Sequence, residues 1–385
     1  MKVVIIGAGI GGTTTGIALK RHGHDVEIYE RVVDIQPVGA AISVWSNGIK
    51  CLNYLGLGKQ VAALGGQMNA MAYCEADTGE VMTSFSLLPL MERVGQRPYP
   101  VARAELQNML MAEFGLDQTH LGKELTRITE EEDHVAAHFS DGSTVEADLL
   151  IGADGARSIA RDYVRQQPTE RRYAGYVNWN GIVAADPVLS PLDCWTTYVG
   201  EGKRVSLMPI SGDRFYFFFD VPLEIGAPNE RENYKSELSE HFHGWATPVQ
   251  ELISLLDPEK TNRVEVHDVE PFDTWTRGRV VLVGDSAHNT TPDLGQGGCL
   301  AMEDAVVLAN CCAAHDTDIR AITERYRSLR VGRCKDLVLR ARKRSSISHA
   351  EDPEETESWY QELRAETGDN IINGIASNIE GGPFA

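Results

Sequence analysis

The sequence predicts an α/β protein in which a parallel-sheet domain is interrupted by a mainly antiparallel sheet, and its 385 residues suffice for about two domains. An apolar run at Val3–Ile6 precedes a glycine-rich loop, which is typical of a parallel strand buried on both faces. Strand-like runs separated by Gly and Asp turns dominate from Tyr173 to about Val221, which indicates an antiparallel sheet. A second buried-strand pattern at Arg279–Val283 precedes another glycine-rich loop, so we expect the chain to return to its first domain.

The N-terminal segment predicts a strand–helix–strand unit that binds a dinucleotide. Its loop has the pattern GxGxxG, formed by Gly7, Gly9, Gly11 and Gly12. Such glycines let the backbone approach a pyrophosphate, which then faces unpaired N–H groups at the start of the following helix. Glu30 ends the predicted second strand, where its carboxylate can accept hydrogen bonds from a ribose, and the adjacent Arg31 is included in the predicted site. This pattern does not by itself distinguish FAD from NAD.

The next elements are assigned to the same domain. Arg103–Phe114 is predicted to be a helix, because its apolar residues recur at the spacing of one buried face. Val135–Phe139 and Thr144–Ala147 flank Asp141–Gly142, which predicts a hairpin. Asp148–Ala153 is another buried-strand pattern, and a turn at 154–155 follows it.

The antiparallel region is predicted from four runs, which are Tyr176–Ala184, Trp195–Val199, Arg204–Pro209 and Arg214–Val221. Asn229–Leu256, which follows them, has a helical pattern. Leu300–Ala313, after the second glycine-rich loop, is again predicted to be a helix.

Composition and charge exclude several classes of function. The net charge is −20, from 36 Lys and Arg against 56 Asp and Glu, so we expect neither nucleic acid nor anionic membrane as a partner. No apolar run reaches the length of a membrane span. The seven cysteines lack zinc-type spacing, so we expect no metal site and a location in the reducing cytoplasm. A homo-oligomer is left open.

Two further segments resemble motifs of the class A flavoprotein monooxygenases, and the likeness to this family extends over nearly the whole chain. Asp148–Ser158, with the sequence DLLIGADGARS, resembles the DG motif of the family and contains Asp154. Gly284–Cys299 resembles its GD motif. The resemblance implies a bound FAD and the fold of para-hydroxybenzoate hydroxylase, in which a Rossmann-type FAD-binding domain carries an inserted, mainly antiparallel substrate sheet.

This fold assigns the chain to three parts. The FAD-binding domain is predicted to comprise residues 1–72, 99–172 and 264–345. The substrate-binding sheet domain is predicted to comprise residues 73–98 and 173–263, and a C-terminal helical tail residues 346–385. The FAD-binding domain is therefore expected to be discontinuous in sequence.

The predicted FAD site combines the first glycine-rich loop with the GD motif. Asp285, at a strand end, can hydrogen-bond the ribityl chain, and the start of the following helix can stabilise negative charge on the reduced flavin. The GD motif contributes six more residues to the predicted site, Pro292, Gly295, Gln296, Gly297, Gly298 and Cys299. Many members of the class have Asn at the last of these positions, where this chain has a cysteine that we expect to be a small buried side chain.

The resemblance adds three residues to the cofactor site. Arg103, at the head of its helix, matches the family arginine that reaches the FAD phosphates. Leu125 falls where the backbone of the family meets the adenine, and Ser43 falls near the moving flavin loop.

The resemblance also implies the co-substrates. In this family NAD(P)H reduces FAD without a second nucleotide-binding domain, and the sequence contains no second GxGxxG. NADH is the expected reductant here. The reduced flavin then reacts with O2 to give a C4a-hydroperoxide, which hydroxylates an electron-rich ring.

One strand of the antiparallel region predicts the wall of a substrate pocket. Alternation along Arg214–Val221 places Tyr216 and Phe218 on one face and the other phenylalanines on the opposite face, and one of these faces can line a flat pocket. Arg204 offers a planar cationic fork to an anionic ring, and Asn178 offers both a donor and an acceptor. The predicted substrate-binding residues are Asn178, Arg204, Tyr216, Phe217 and Phe218.

Longer stretches are similar to the urate-hydroxylating members of the family, namely GAAISVW, RRYAGYVNWNG, WTTYVGEGKRVSLMP, RFYFFFDVP and TTPDLGQGGC. This resemblance implies conversion of urate to 5-hydroxyisourate with NADH and O2. We expect Arg204 to hold the urate anion and to stabilise charge that develops on the ring, and Tyr216 to orient the reacting groups. These two are the predicted catalytic residues.

Three other functions stay open at this point. A class A hydroxylase of a phenolic acid, such as salicylate or hydroxybenzoate, would use the same aromatic pocket and Arg204. A flavin reductase or dehydrogenase would consume NADH without inserting oxygen into a product. A non-catalytic flavin-binding protein would hold FAD without turnover.

Overall fold

The computed structural model places the predicted N-terminal strand in a parallel sheet and describes residues 1–34 and 39–384. Residues 35–38, in the first predicted segment of the FAD-binding domain, and residue 385, in the predicted tail, lie outside the described residues. The strands within the described ranges are, in chain order, β1 (Lys2–Ile6), β2 (Asp25–Glu30), β3 (Ala41–Val44), β4 (Ala70–Glu75), β5 (Val81–Ser86), β6 (Tyr99–Ala102), β7 (Thr119–Leu121), β8 (Leu125–Glu130), β9 (Val135–Phe139), β10 (Thr144–Ala147), β11 (Leu149–Gly152), β12 (Arg171–Ala184), β13 (Cys194–Gly200), β14 (Lys203–Ile210), β15 (Arg214–Pro222), β16 (Asn262–Val269), β17 (Thr276–Arg277) and β18 (Val280–Leu282).

Helices connect and cover these strands. The α-helices of the described ranges are α1 (Ile10–Arg21), α2 (Ser46–Tyr54), α3 (Gly58–Leu64), α4 (Leu88–Val94), α5 (Arg103–Phe114), α6 (Ile159–Arg165), α7 (Tyr234–His241), α8 (Thr247–Leu255), α9 (Asp285–His288), α10 (Gly297–His315), α11 (Ile319–Ser348), α12 (Pro353–Ala365) and α13 (Asp369–Ile379). Short 3-10 turns occur at Leu116–Gln118, Gly155–Arg157, Arg231–Asn233, Pro258–Lys260 and Pro292–Leu294.

The first sheet joins six described strands in the order β17-β18-β11-β1-β2-β7. β1 is parallel to both of its neighbours, with Val3 opposite Leu149 and Ile5 opposite Ile28. Val3 and Ile5 are fully buried, because α1 and the small sheet β10-β9-β8 both pack against this strand or its neighbours. The predicted hairpin forms β9 and β10 of that small sheet, and the remaining two-stranded sheet pairs β3 with β6.

The second large sheet joins seven described strands in the order β16-β12-β15-β14-β13-β4-β5. Neighbouring strands are antiparallel except β13 and β4, which are parallel. The predicted domain boundaries at 72/73, 172/173 and 263/264 need correction, because they cut through β4, β12 and β16. All three strands are hydrogen-bonded members of this sheet, so the sheet begins at Ala70 and ends at Val269.

The two faces of this sheet differ. One face carries Trp179, Phe217 and Phe219, which pack with apolar residues of α7 and α8 in a closed hydrophobic core. The other face carries polar and aromatic side chains and turns toward the first sheet. This difference follows from strand alternation, which sends neighbouring residues to opposite faces.

α10 is the central helix of the first domain. By length and composition it is the one helix among the described residues that could cross a membrane, but 67% of its most apolar window is buried inside the fold. It packs against α1, α2 and α11, so its apolar character is that of a core helix.

The C-terminal helices fold back onto both sheets. α12 packs against β5 and α11, and α13 packs against α4. Arg364 on α12 pairs with Glu75 at 2.6 Å, and Arg93 on α4 pairs with Glu380 at 2.7 Å. The tail is thereby fixed beside the second sheet.

Candidate functional site

One large cavity lies between the glycine-rich loops of the first sheet and the polar face of the second sheet. Its volume is about 1020 Å³, which is at the upper end of the range for ligand sites. The loops at 9–11 and 284–298 line it together with β12, β14 and β15, and residues of α12 and α13 complete the wall. The cavity therefore joins the predicted cofactor loops to the predicted substrate strands.

The loop before α1 is shaped to receive an anionic group. α1 begins after Gly9, which provides no side-chain cap for the first N–H groups of the helix. A Cβ on Gly12 would lie 2.0 Å from the Gly7 carbonyl oxygen, so this packing requires glycine. A Cβ on Gly9 would meet no atom within 4 Å, and both Gly9 and Gly11 line the cavity. A pyrophosphate can therefore approach the helix N-terminus along the backbone.

The second glycine-rich loop presents polar atoms to the same cavity. Asp285 is exposed to it, and its carboxylate accepts no hydrogen bond from any residue that the structure describes. Asn289 Oδ1 and Thr290 Oγ1 are buried, also without a partner in residues 1–34 and 39–384. Because buried polar atoms without partners are costly, these atoms indicate a ligand that carries hydroxyl, carbonyl or N–H groups.

The loop continues into α10, where the remaining predicted residues of the GD motif lie. Five of them line the cavity, Pro292, Gly295, Gln296, Gly297 and Gly298. A Cβ on Gly298 would lie 2.4 Å from Ile42 Cδ1 on β3, so this glycine lets β3 approach the start of α10.

Ser43 and Arg103 lie at the same end of the cavity and line it. The Ser43 hydroxyl donates a hydrogen bond to Met208 Sδ at 3.2 Å. Arg103 begins α5, and its guanidinium has no carboxylate partner among the residues that the structure describes. It is therefore available to a phosphate, as the family resemblance implies.

Glu30 and Arg31 lie outside the cavity wall. The Glu30 carboxylate accepts hydrogen bonds from the backbone N–H of Ala8 at 2.8 Å and of Val32 at 3.1 Å. It thus holds the first glycine-rich loop in place, and Arg31 beside it is exposed. Their direct contact with a cofactor stays a prediction.

Asp154 and Leu125 are also absent from the wall. The Asp154 carboxylate accepts hydrogen bonds from the Ser158 hydroxyl and from the Ala160 N–H, which fixes the turn before α6. Burial raises the pKa of Asp154, and these hydrogen bonds oppose the rise. Leu125 starts β8 with its side chain in the core. A cofactor contact of either residue likewise stays a prediction.

Cys299 lies beneath the cavity wall and is fully buried. The Trp45 N–H donates to its Sγ at 3.3 Å, and burial raises the pKa of Cys299 to about 12. The thiol is therefore protonated at neutral pH, and the residue is the small buried side chain expected from the sequence.

A buried cluster of charged side chains forms the floor of the substrate half of the cavity. Arg204 on β14 donates from Nε to Asp220 at 2.5 Å and from Nη2 to Asp293 at 2.8 Å. Burial alone would lower the pKa of Arg204, but the two aspartate charges outweigh it and raise that pKa. Burial opposes ionisation of Asp293, yet Arg204 and His349 hold the pKa of Asp293 below its ordinary range. Arg204 is thus cationic but already paired, and its Nη1 meets no acceptor among the described residues.

Two asparagines of β12 continue this cluster. Asn178 Nδ2 donates to Asp220 Oδ1 at 2.6 Å, and Asn180 Nδ2 donates to Asn178 Oδ1 at 2.7 Å. Asn180 Oδ1 in turn accepts from the Ala40 N–H at 3.0 Å, which ties the sheet to the segment before β3. Asn178 therefore lies in the predicted pocket with one N–H left for a ligand.

Alternate residues of β15 form an aromatic wall. Tyr216 and Phe218 line the cavity with ring centroids 5.7 Å apart, and the Arg204 guanidinium lies 5.4 Å from the Phe218 centroid. Burial raises the pKa of Tyr216, so its hydroxyl stays protonated across the neutral range. The side chain of Phe217 does not line the cavity, so a contact of this residue with the substrate stays a prediction. It is 1% exposed and packs in the closed core on the opposite face, because neighbouring strand residues alternate.

The site also contains residues that the sequence analysis missed. Asp220 could have been found, because it lies two residues beyond Phe218 and therefore shares its face. Asp293 lies in a loop without periodicity, and its carboxylate accepts a hydrogen bond from the Tyr176 hydroxyl at 2.9 Å. His349, which follows α11, stacks on Tyr176 at 3.7 Å between ring centroids and lies 3.6 Å from Asp293. Tertiary folding alone brings His349 here.

These features fit FAD beside a flat polar substrate. The α1 N-terminus and Arg103 suit a pyrophosphate, and Asp285 suits the hydroxyls of a ribityl chain. The unpartnered atoms of Asn289 and Thr290 suit the polar edge of the isoalloxazine. The pocket of Arg204 and Tyr216 then adjoins the position of the ring in one continuous cavity.

The chain is similar to known flavoproteins in both sequence and structure. A family model described as FAD binding domain matches residues 1–341. The chain is 56% identical to the FAD-dependent urate hydroxylase of Mycolicibacterium vanbaalenii, and the alignment covers 100% of this chain and 98% of that protein. It is also similar to Klebsiella pneumoniae HpxO solved with FAD and uric acid, with a TM-score of 0.98, 54% identity and coverage of 100% and 98% of the two chains. The R204Q variant of that HpxO, solved with FAD, gives a TM-score of 0.98 at 53% identity and full coverage of both chains.

Proposed function

The chain belongs to the FAD binding domain family, and from this premise we propose that it is a FAD-dependent monooxygenase that hydroxylates urate to 5-hydroxyisourate. The observation that carries this proposal is one continuous cavity, which runs from the FAD loops to an aromatic pocket floored by Arg204. The chain shares this architecture over its full length with a protein solved with FAD and uric acid. It therefore acts in purine degradation.

FAD binds between the two glycine-rich loops. The α1 N-terminus and Arg103 hold the pyrophosphate, and Asp285 holds the ribityl chain. When bound, FAD supplies the redox chemistry, since it takes electrons from NADH and activates O2 for transfer of one oxygen atom. The start of α10 stabilises negative charge at the flavin edge.

The pocket residues bind and orient urate. The rings of Tyr216 and Phe218 give the planar purine a flat wall. Arg204 Nη1 and the free N–H of Asn178 donate hydrogen bonds to the oxygens of the anion. Arg204 also holds the ring in its anionic, electron-rich form for hydroxylation at C5, because its position is fixed by two buried carboxylates before the substrate arrives.

Tyr216 supplies a protonated hydroxyl at the cavity surface. Its raised pKa, which results from burial, keeps the proton on the oxygen at the pH of the reaction. The hydroxyl can therefore donate a hydrogen bond either to urate or to the oxygen that is transferred. This role requires Tyr216 to face the same space as Arg204, as it does.

We assign NADH and O2 as co-substrates and the cytoplasm as the location. The two co-substrates provide the electrons and the oxygen atom that the hydroxylation needs. The cytoplasmic assignment is supported by the cysteines, since all seven lie in the described ranges, buried and unpaired, as is common in a reducing compartment.

Urate-dependent consumption of NADH and O2 by the purified protein tests this function. We expect urate to stimulate both, with label from ¹⁸O2 appearing in the product. Stimulation by salicylate or hydroxybenzoate in place of urate would identify a phenolic hydroxylase. NADH consumption without label in a product would identify a reductase, and a yellow protein without NADH turnover on any ligand would identify a binding protein.

A further inference from the structure

The C-terminal half of α11 contributes a second arginine to the substrate half of the cavity. Arg344 lines the large cavity and also a small adjoining recess of about 50 Å³, which it shares with Arg204, Phe218 and Asp293. Its guanidinium lies 4.1 Å from the ring centroid of Trp359 on α12. Arg344 thus lies beside the floor of the substrate half of the cavity.

Arg344 differs from the other arginines near it on α11. Arg340, one turn earlier, pairs with Asp336 at 2.9 Å, and Arg342 pairs with Asp268 at 2.5 Å. Within residues 1–34 and 39–384 no carboxylate lies at ion-pairing distance from Arg344. Burial lowers the pKa of Arg344, but a guanidinium remains charged in proteins. A shielded cation without an acidic partner is costly, and the cost is offset when an anion binds.

The charges of the pocket explain why a second cation is needed. Arg204 contributes +1, and Asp220 and Asp293 contribute −2, so these three residues together carry a net charge of −1. Arg344 brings the sum to zero. Without it, a urate anion would enter a site of like charge, which is unfavourable in a shielded pocket.

We propose that Arg344 is a substrate-binding residue that makes the pocket select anionic rings. Arg204 orients the substrate through Nη1, but the negative charges of Asp220 and Asp293 outweigh its positive charge. Arg344 supplies the positive charge that attracts the anion. The ring of Trp359 supports the guanidinium by a cation–π contact, so its position is set before the substrate binds. The proposal rests on the proposed function, because urate is the anion concerned.

Ligand titration of the FAD-bound enzyme tests this role. Urate and xanthine are titrated by the change in flavin absorbance at slightly acidic pH, where urate is an anion and xanthine is neutral. Arg344→Gln should weaken urate binding by about tenfold or more, which corresponds to about 1.4 kcal/mol. Its affinity for xanthine should stay close to that of the wild type. In turnover, the KM for urate should rise much more than kcat falls.

Two further variants complete the test. Lys343→Gln removes the same formal charge from the adjacent position, where the side chain is exposed and pairs with Glu355, and it should bind urate like the wild type. Arg344→Lys keeps the charge and should keep the preference for urate over xanthine. If Arg344→Gln does not retain FAD, Arg344→Lys decides the question, since loss of its preference for urate overturns the proposal.

Other outcomes are equally decisive. Equal weakening of urate and xanthine by Arg344→Gln would show a packing role and overturn the proposal. A raised KM for NADH with unchanged urate binding would assign Arg344 to the nicotinamide cofactor and also overturn it. If the wild type neither binds nor oxidises urate, the proposed function fails, and anionic salicylate against neutral salicylamide then measures the charge selectivity of Arg344 independently.

Discussion

Two clusters of this molecule each contain a buried arginine, two carboxylates and one histidine, with Arg333 as a further partner of Glu303 in one of them, but they differ in what covers them. The core cluster consists of Arg330, Glu303, Asp304 and His288. The pocket cluster consists of Arg204, Asp220, Asp293 and His349. Every member of the core cluster is buried, whereas Arg204 and Asp293 of the pocket cluster line the cavity. The same chemistry therefore stabilises the fold in one place and meets a ligand in the other.

The core cluster fixes the second glycine-rich loop. Arg330 donates from Nε to Asp304 at 2.7 Å and from Nη1 to Glu303 at 2.7 Å. Asp304 also accepts a hydrogen bond from the Gly284 N–H at 2.9 Å, directly before Asp285 of the FAD site. His288, Asp304 and Cys334 lie close enough together to hold a metal ion. The Arg330 guanidinium already contacts two of them, however, since it donates to Asp304 and lies 3.4 Å from Cys334 Sγ.

We expect the largest loss of stability from a substitution in the core cluster, because water cannot reach the carboxylates that lose their partner. Arg330→Met leaves Asp304 buried without its arginine and leaves Glu303 with Arg333 alone, which should lower the free energy of unfolding by about 3–5 kcal/mol and abolish FAD retention. Urea unfolding and the flavin content of the purified protein measure this. Arg320→Gln breaks an exposed pair with Glu324 on the same helix and should resemble the wild type. Equal stability of the two variants would refute the distinction between the clusters.

The equivalent change in the pocket cluster should affect activity more than stability. Arg204→Gln exposes Asp220 and Asp293 to a cavity that water can enter, so FAD should stay bound. Hydroxylation should fall by about 100-fold or more, because charge on the ring loses its stabilising partner. The measurement is 5-hydroxyisourate formed per NADH consumed, with the exposed Arg231→Gln as control. Normal turnover by Arg204→Gln would remove Arg204 from the catalytic machinery.

A smaller effect is expected from the aromatic wall, and it separates the two faces of β15. Tyr216→Phe removes one hydrogen bond and should lower the yield of product per NADH by about tenfold. Phe217→Leu changes the closed core behind the wall and should lower stability by about 1 kcal/mol without changing that yield. Coupling ratios and thermal unfolding measure both. Wild-type coupling in Tyr216→Phe would exclude the proposed role of its hydroxyl.

Acidification should produce the smallest effect near neutrality. Burial opposes ionisation of Asp304, but His288 and Arg330 lower its pKa from 3.8 to about 2. Because the folded-state pKa lies below the ordinary value, this stabilisation is complete above about pH 4 and is lost as the pH falls toward 2. The urea midpoint should therefore show no contribution from Asp304 between pH 7 and about 5. Asp304→Asn should lose stability less steeply below pH 4; an equally steep loss would contradict the assignment.

Patterns within a few residues of sequence predicted the buried strands and the hairpin turn correctly. The apolar run at Val3–Ile6 is β1, and the hairpin around Asp141–Gly142 forms as expected, because strand burial and turn chemistry are encoded within a few residues. Alternation likewise placed Tyr216 and Phe218 on one face. The same rule placed Phe217 on the opposite face, where the structure has the closed core, and it also implies that Asp220 shares the face of Phe218.

The rest depends on contacts between distant segments. Arg344 and His349 reach the pocket because the C-terminal helices fold back onto the second sheet, and the periodicity of a helix does not say which sheet it will cover. Asp293, in the turn at Pro292–Leu294, pairs with Arg204 on β14, and the two residues are 89 positions apart in the sequence. β4 and β16 belong to the second sheet through hydrogen bonds with other strands, which no pattern within either segment specifies.

α11 contains both Arg330 of the core cluster and Arg344 of the pocket, so one continuous helix of 30 residues sets their spacing. Their separation is about 21 Å along the axis, and fourteen residues fall only about 40° short of four full turns, so both side chains point to nearly the same side. Deleting one residue between them would rotate one arginine by about 100° relative to the other. In a diverging lineage, substitutions on the outer surface of this helix can accumulate, whereas its length between residues 330 and 344 is expected to stay invariant.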